Sequence, residues 1–253
     1  VRVVDFSFQA TGPYCTELLA YLGAEVIRIE DREGKRDIFR LRQPSIYNEV
    51  NQNKRSVTIN LTKPEGIDLA RRLVKSSDVV VENFRPGVMD RLGLGYKALT
   101  GLKPELVMIS CSGFGAEGPE AGYASIAATF TVMGGLAAIT GYPDGIPTEQ
   151  RGMIDFIVGQ FMAFSVLSAL LYRRRTGRGQ YIDLSAREAV TSIIGDTLMD
   201  YTMNGRNPAP KGNLDDVMAP HNCYRCKGED LWVSIAVATD AEWEALCRAI
   251  GQL

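Results

Sequence analysis

Six short apolar runs, rich in Val, Ile and Leu, punctuate this chain: 1–6 (VRVVDF), 24–30 (AEVIRIE), 57–61 (VTINL), 78–82 (DVVVE), 106–111 (LVMISC) and 181–185 (YIDLS). Runs of that length and make-up are strands with little polar face. The chain opens strand, loop, helix (14–22), strand. That order requires a crossover connection, and so a parallel sheet with helices packed on it. A second helix is expected from Pro64 to about Lys75, with Thr62 as its N-cap, and a third over 186–201. The segment 31–42 reads as a charged, solvated loop.

The stretch 149–180, EQRGMIDFIVGQFMAFSVLSALLYRRRTGRGQ, is the longest apolar feature. Residues 156–172 carry no charge, three arginines follow, and Gly177 and Gly179 end the run. It reads as a helix with Asp155 at or just before its first turn. Unpaired N–H groups and the helix dipole favour an ionised carboxylate there. The segment is short for a membrane span, contains Gln160, Ser165 and Ser168, and stands alone, so a buried core helix is the better account. Asp155 is then either an ordinary cap or an exposed nucleophile at the mouth of that helix.

With 253 residues the chain can bury a large core. Lys plus Arg number 28 and Asp plus Glu 30, a balance that argues against a nucleic-acid protein. The five cysteines are scattered and odd in number, which suits reduced thiols in a cytoplasmic enzyme. No basic-then-apolar leader opens the chain. Both ends look cut, one inside a strand and one at a helix, so the sequence reads as a piece of a longer chain.

Asn83-Phe84-Arg85 follows a strand directly, at the end where open α/β sheets bind ligands, and offers an amide, a stacking face and a cation. Residues 113–118 spell G-x-G-x-x-G, but Pro119 and Gly122 interrupt the helix that a dinucleotide fingerprint needs. This argues against a nicotinamide dehydrogenase and makes the segment a candidate lid. Phe8, Tyr14, Phe39, Tyr47 and Tyr142 are candidates either to line an apolar substrate pocket or simply to be core. His221, Cys223 and Cys226 lack a second zinc-spaced pair, so no metal is expected. The Asn/Pro/Gly-rich segment 204–220 reads as a linker between a large domain, 1–203, and a smaller one beginning at 221 with a hairpin (222–226 and 231–237). A final helix follows, capped by Asp240.

The series VRVVDFSFQATGP, LGAEVIRIE, NKRSVTINL, DVVVENFRPGVMDRLGLGY, SCSGFGAEGP and TGRGQYIDLS resembles the family III CoA-transferases, in their order and spacing and over nearly the whole chain. The resemblance implies an α/β fold with a Rossmann-like parallel-sheet large domain and the start of a smaller α+β domain. It also implies an interlinked homodimer, or a hetero-oligomer with a related subunit. It implies Asp155 as the nucleophile and CoA contacts at Ala10, Thr11, Ile59, Asn83, Phe84, Arg85 and Arg91. Coenzyme A and its acyl thioesters would be substrates, with an organic acid as co-substrate and no permanently bound cofactor. The expected activity moves CoA from an acyl-CoA to a free carboxylic acid through an aspartyl-CoA thioester. The same family contains acyl-CoA racemases, which pair the aspartate with an upstream histidine; the corresponding region here, 122–130, has none. An acyl-CoA racemase or epimerase of the same fold and a non-catalytic partner subunit are the alternatives.

Overall fold

The computed structural model describes residues 1–34, 37–150 and 152–252. Lys35 and Arg36 of the expected charged loop, Arg151 of the central stretch and Leu253 lie outside the described residues. The elements run in the order β1 (Arg2–Asp5), α1 (Thr11–Tyr21), β2 (Glu25–Glu30), α2 (Ile38–Arg42), α3 (Pro44–Glu49), β3 (Arg55–Thr58), α4 (Pro64–Lys75), β4 (Val79–Glu82), α5 (Val88–Arg91), α6 (Tyr96–Thr100) and β5 (Val107–Ser112). There follow α7 (Ala127–Met133), α8 (Leu136–Ile139), α9 (Met153–Thr176), β6 (Gln180–Ser185), α10 (Ala186–Ser192), α11 (Gly195–Asn204), β7 (His221–Arg225), β8 (Trp232–Ala236) and α12 (Asp240–Ala249).

Two compact units result, one of Val1–Gly135 with Gln150–Gly195 and one of Leu136–Glu149 with Asp196–Leu253. The first is the expected α/β body. Its six strands are all parallel, in the order β3-β2-β1-β4-β5-β6. Strand order reverses between β1 and β4, and this is the switch point at which such sheets leave a crevice beyond their carboxyl ends. The central strands are dry: Val3, Val4, Val79, Val80, Val81 and Ile109 are fully buried. At about 25 cal/mol per Å² of apolar surface, that core is the main stabilising term.

Helix α9 is longer than the uncharged run, because Met153, Ile154 and Asp155 form its first turn and the three arginines its last. Gly177 ends it in a left-handed conformation, φ 73°, and donates its N–H to the Arg173 carbonyl. The buried side of α9 runs along Ile154, Val158, Gly159, Met162, Ala163, Val166 and Ala169. It is one helix long and apolar enough to cross a membrane, and this buried stripe is what a core helix has. Arg173 pairs with Asp78 at 3.1 Å, fixing the far end of the helix to the start of β4.

Several boundaries differ from the sequence pattern, each for a local reason. Helix α1 starts at Thr11 rather than Tyr14, with Pro13 in its first turn, where a missing N–H costs nothing. The charged segment closes into α2 because Asp37 accepts the Phe39 N–H as its cap, and α3 follows with Pro44 at its start. Strand β3 pairs over 55–58 rather than 57–61, an exposed edge strand, while Ile59 and Leu61 go into the core beyond it. Thr62 is not the α4 cap; its N–H and hydroxyl both bond the Asn60 side chain, and Lys63 takes the cap position. The helix expected over 186–201 breaks after Ser192, where 193 and 194 tighten into i→i−3 bonds ahead of Gly195.

The second unit holds the β7–β8 hairpin, paired antiparallel from His221↔Ala236 to Arg225↔Trp232. Its last helix is capped by Thr239, in a reciprocal box with Glu242, and Asp240 is the first helical residue instead. Among the described residues no group of three His, Cys, Asp or Glu side chains is placed to hold a metal ion. The His221 ring nitrogen Nδ1 lies 2.6 Å from the Asn213 carbonyl.

Candidate active site

A cavity of about 380 Å³ opens beyond the carboxyl ends of β1, β4 and β5 in the α/β unit. Asp155 lines it from the first turn of α9, and Thr11 from the start of α1. Asn83, Phe84, Arg85 and Pro86 line it from the loop after β4, and Tyr123, Ser125 and Phe130 from the segment before and within α7.

One long-range hydrogen bond sets Asp155. The Thr11 hydroxyl donates to its Oδ1 at 2.5 Å. The two helices can come this close because position 159, one turn on, has no side chain. A Cβ there would lie 2.8 Å from the Thr11 carbonyl oxygen and 3.0 Å from the Tyr14 ring. Tyr14 also packs edge-on against Phe156, centroids 4.7 Å apart. Burial pushes the Asp155 carboxyl above its usual range, against the opposing pull of the Thr11 bond. The helix N-terminus was expected to keep this group readily ionised; burial acts in the opposite direction.

The loop after β1 is held from beneath by a buried ion network. Asp5 accepts from Ser7 N–H at 2.9 Å, Thr16 Oγ1 at 2.6 Å and Lys54 Nζ at 3.3 Å, with Arg28 Nη1 at 3.6 Å. Burial favours protonated Asp5, but Lys54, Arg28 and the hydroxyl bonds overcome it and hold the carboxyl below its usual range. Burial lowers the Lys54 ammonium to about 8. Arg28 also reaches Asp37 at 2.5 Å, and Asp37 in turn accepts the Gln9 N–H at 3.2 Å. Gln9 lines the cavity with a left-handed backbone, φ 63°, which a non-glycine residue adopts only when its surroundings hold it there.

Asn83 clamps the same loop from the other side. Its Oδ1 accepts the Phe8 N–H and its Nδ2 donates to the Phe8 carbonyl, both at 2.9 Å. Phe8 and Phe84 stack with centroids 5.6 Å apart. The Asn83 amide is thus engaged with the protein backbone. Arg85 is exposed, and among the described residues no carboxylate lies within ion-pair distance of it.

Of the residues expected from the sequence, Asp155, Thr11, Asn83, Phe84 and Arg85 come together around this cavity. Ala10 is buried just ahead of α1 and does not line it. Ile59 lines a separate cavity of about 530 Å³ with Asp31, Asn60, Thr62 and Leu92. Ile59, Phe84 and Leu92 belong to one apolar cluster, so both cavities border the same packing. Arg91 ends α5 at the surface and lines neither cavity. Among the aromatic residues expected at an acyl pocket, Phe8 lines the Asp155 cavity. Tyr47 packs against the Arg28 and Arg40 guanidinium groups, and Tyr142 sits in the other unit beside Asn213.

Of the 113–118 loop only Gly113 lines the cavity, and the segment after it is anchored to β6 and α10. Phe114 is buried under the Arg187 guanidinium at 5.2 Å, and the Ala116 N–H donates to Asp183 at 2.9 Å. The next helix, α7, begins only at Ala127. The sequence reading missed Gln9, Ser112 and Ser125 as lining residues. Gln9 sits in the loop after the first strand and Ser112 beside Gly113, which hinted at those two, while nothing in the sequence marked Ser125. Cys111 faces the cavity near Asp155, yet burial raises its thiol, so it is not a thiolate nucleophile. Asp155 is the one carboxylate among the described lining residues, and no histidine accompanies it.

A family model described as CoA-transferase family III matches residues 1–253. The chain is 38% identical to a succinyl-CoA–D-citramalate CoA-transferase of Chloroflexus aurantiacus, over 100% of this chain and 64% of the relative. It is 36% identical to an acetyl-CoA:oxalate CoA-transferase of Acetobacter aceti, over 98% of this chain and 65% of the relative. It thus spans just under two thirds of the length of these curated relatives. A crystal structure of a CaiB/BaiF family protein from Brucella suis superposes with TM-score 0.93 at 32% identity, covering 100% of this chain and 69% of that one.

Proposed function

The chain belongs to CoA-transferase family III, and from that premise we propose that the whole protein moves CoA from an acyl-CoA donor to a free carboxylic acid, with Asp155 as the covalent nucleophile. The observation that carries this reading is the solitary carboxylate. Asp155 lies in a cavity whose described lining contains no second carboxylate and no histidine. A racemase needs two opposed acid–base groups, and Tyr123 is a poor base near neutral pH.

The chemistry asks for little beyond one carboxylate. Asp155 attacks the thioester carbonyl, and collapse of the tetrahedral oxyanion expels CoA thiolate and leaves a mixed acyl-aspartyl anhydride. The thiolate then attacks the aspartyl carbonyl carbon. The donor acid leaves as its carboxylate and Asp155 carries CoA as a thioester. The acceptor carboxylate attacks that thioester, and the released thiolate attacks the acceptor's carbonyl in the second anhydride. Acceptor-CoA and free Asp155 result, with no net proton change. Burial around Asp155 strips water from the nucleophile and protects the anhydrides from hydrolysis. Hydrogen-bond donors along the cavity wall, including Gln9 and Ser125, are suited to the oxyanions.

CoA would run from the Ile59 cavity past Phe84 to Asp155, with Thr11, Asn83 and Arg85 along it; contacts at Ala10 and Arg91, which line neither cavity, rest on the family resemblance, with Arg85 and Arg91 as the cations for its phosphates. No permanently bound cofactor enters the scheme; coenzyme A is substrate. The two relatives act, by their names, on D-citramalate and oxalate, both dicarboxylates. With hydroxyls from Ser112, Tyr123 and Ser125 along the same wall as Asp155, a small dicarboxylate is the acceptor class we favour. The protein is proposed to work in the cytoplasm as an interlinked homodimer or paired with a related subunit. Incubating the full-length protein with succinyl-CoA and a panel of dicarboxylates, and following acceptor-CoA by chromatography, tests the activity. Transfer in the wild type and its loss in Asp155→Ala are expected. Activity that survives in that variant would point to a partner subunit or another nucleophile.

A further inference from the structure

Glu82 ends β4 and is 5% exposed. Of the other buried acids of this unit, Asp5 and Asp37 sit against Arg28, and Glu17 accepts the Tyr21 hydroxyl at 3.2 Å. Glu82 has no cation within ion-pair distance among the described residues. The charged groups that face it are the acids Asp90 of α5 and Asp183 of β6, and Ser110 of β5 gives it a hydroxyl bond. Lys97 and Tyr181 line the same adjoining cavity of about 360 Å³. A carboxyl buried without a paired cation lowers stability, so its place calls for a task.

The geometry points to one. Glu82 Oε2 accepts the Phe84 backbone N–H at 2.7 Å, two residues on in its own chain. This bond bends the chain out of the sheet at Asn83. The bend aims the Asn83 amide at both backbone groups of Phe8 and lays the Phe84 ring on Phe8. We propose that Glu82 is a positioning residue, its carboxyl oxygen holding the 83–85 loop in the shape that receives CoA beside Asp155. Phe84, Pro86 and Ser112 border both this second cavity and the Asp155 cavity, so a shift of the loop is felt directly in the reaction site. The proposal rests on the reading that the 83–85 loop contacts CoA.

The test uses full-length protein, with CoA affinity from calorimetry beside KM for acyl-CoA and kcat. Glu82→Ala removes the acceptor, and Glu82→Asp keeps the charge on an arm too short to reach Phe84. Both are expected to weaken CoA binding and raise KM by fivefold or more, with kcat at saturation within twofold. Glu82→Gln keeps an oxygen at the right length and is expected to stay within twofold of wild type. The Asp variant keeps the test open if the Ala variant does not fold. Unchanged CoA affinity in the Asp variant, or equal weakening in Gln, overturns the proposal. Failure of the covalent reading would leave these affinities as they are and show instead as an unlabelled Asp155, so the two fail separately.

Discussion

For a single side chain, reactivity here is a contest between burial and hydrogen bonding. Burial raises the Asp155 carboxyl, and the Thr11 hydroxyl bond pulls it back. The attacking form is the carboxylate, so the rate should fall as pH drops through the raised value. Thr11→Val removes the hydroxyl at constant volume and leaves burial unopposed. Its acid limb in a kcat/KM–pH profile should move to higher pH, with kcat/KM near pH 6 lower on the order of tenfold, the worth of one bond to a charged group. An unmoved limb would mean that the Thr11 bond does not tune the nucleophile. Glu82 supplies a stability signature of the same physics. Burial lifts its carboxyl from 4.5 to about 7. The folded state therefore holds its proton where the unfolded state has lost it, and stability drains away as pH rises from about 4.5 to 7. At 1.36 kcal/mol per pKa unit the loss is about 3 kcal/mol. Denaturant melts of wild type and Glu82→Gln at pH 4.5 and 7 should differ by roughly that slope, and parallel curves would contradict it.

Elements matter here through how closely they approach. Helices α1 and α9 touch across Gly159, and this contact delivers Thr11 to Asp155. Gly159→Val must move the α1 backbone, not merely a flexible side chain. It is expected to cost about 1–3 kcal/mol in a denaturant melt, the usual range for overpacking, and to lower kcat more than a distant change of equal cost. Wild-type kcat at that cost would show that the helix contact is structural only. The α9 helix was legible because an uncharged run between a loop and a basic turn leaves few alternatives. The strands at 1–6, 24–30 and 78–82 were legible because centrally buried parallel strands are apolar on both faces. Boundaries set by a side chain's choice of partner were not. Nothing in the sequence tells that Thr62 bonds Asn60 rather than capping α4, or that Thr239 rather than Asp240 caps α12. The anchoring of the 113–118 loop was not legible for a similar reason, since glycines signal freedom and the anchors, Arg187 and Asp183, lie about 70 residues away in sequence.

Across the whole molecule the site follows from topology. The order β3-β2-β1-β4-β5-β6 puts the loops after β1 and β4 side by side, and α9 brings in the nucleophile from far along the chain. Asp155 and the 83–85 loop could be read from the sequence because each sits at the mouth of a strongly patterned element. Gln9 could not, because its left-handed backbone is imposed by Asp37 and the ion network behind it. The division into a large domain, 1–203, a linker, 204–220, and a smaller domain from 221 is a proposal that limited proteolysis checks. First cuts within 204–220 are expected, and first cuts inside either flanking domain would count against it. The central claim is the covalent aspartate, and its most direct test is trapping. Full-length protein is mixed with donor acyl-CoA, quenched with hydroxylamine or borohydride, and peptides across 152–173 are weighed. The account expects a hydroxamate or alcohol on Asp155 that is absent from Asp155→Ala. An unmodified Asp155 under turnover, with label exchanging at the acyl α-carbon instead, would contradict it.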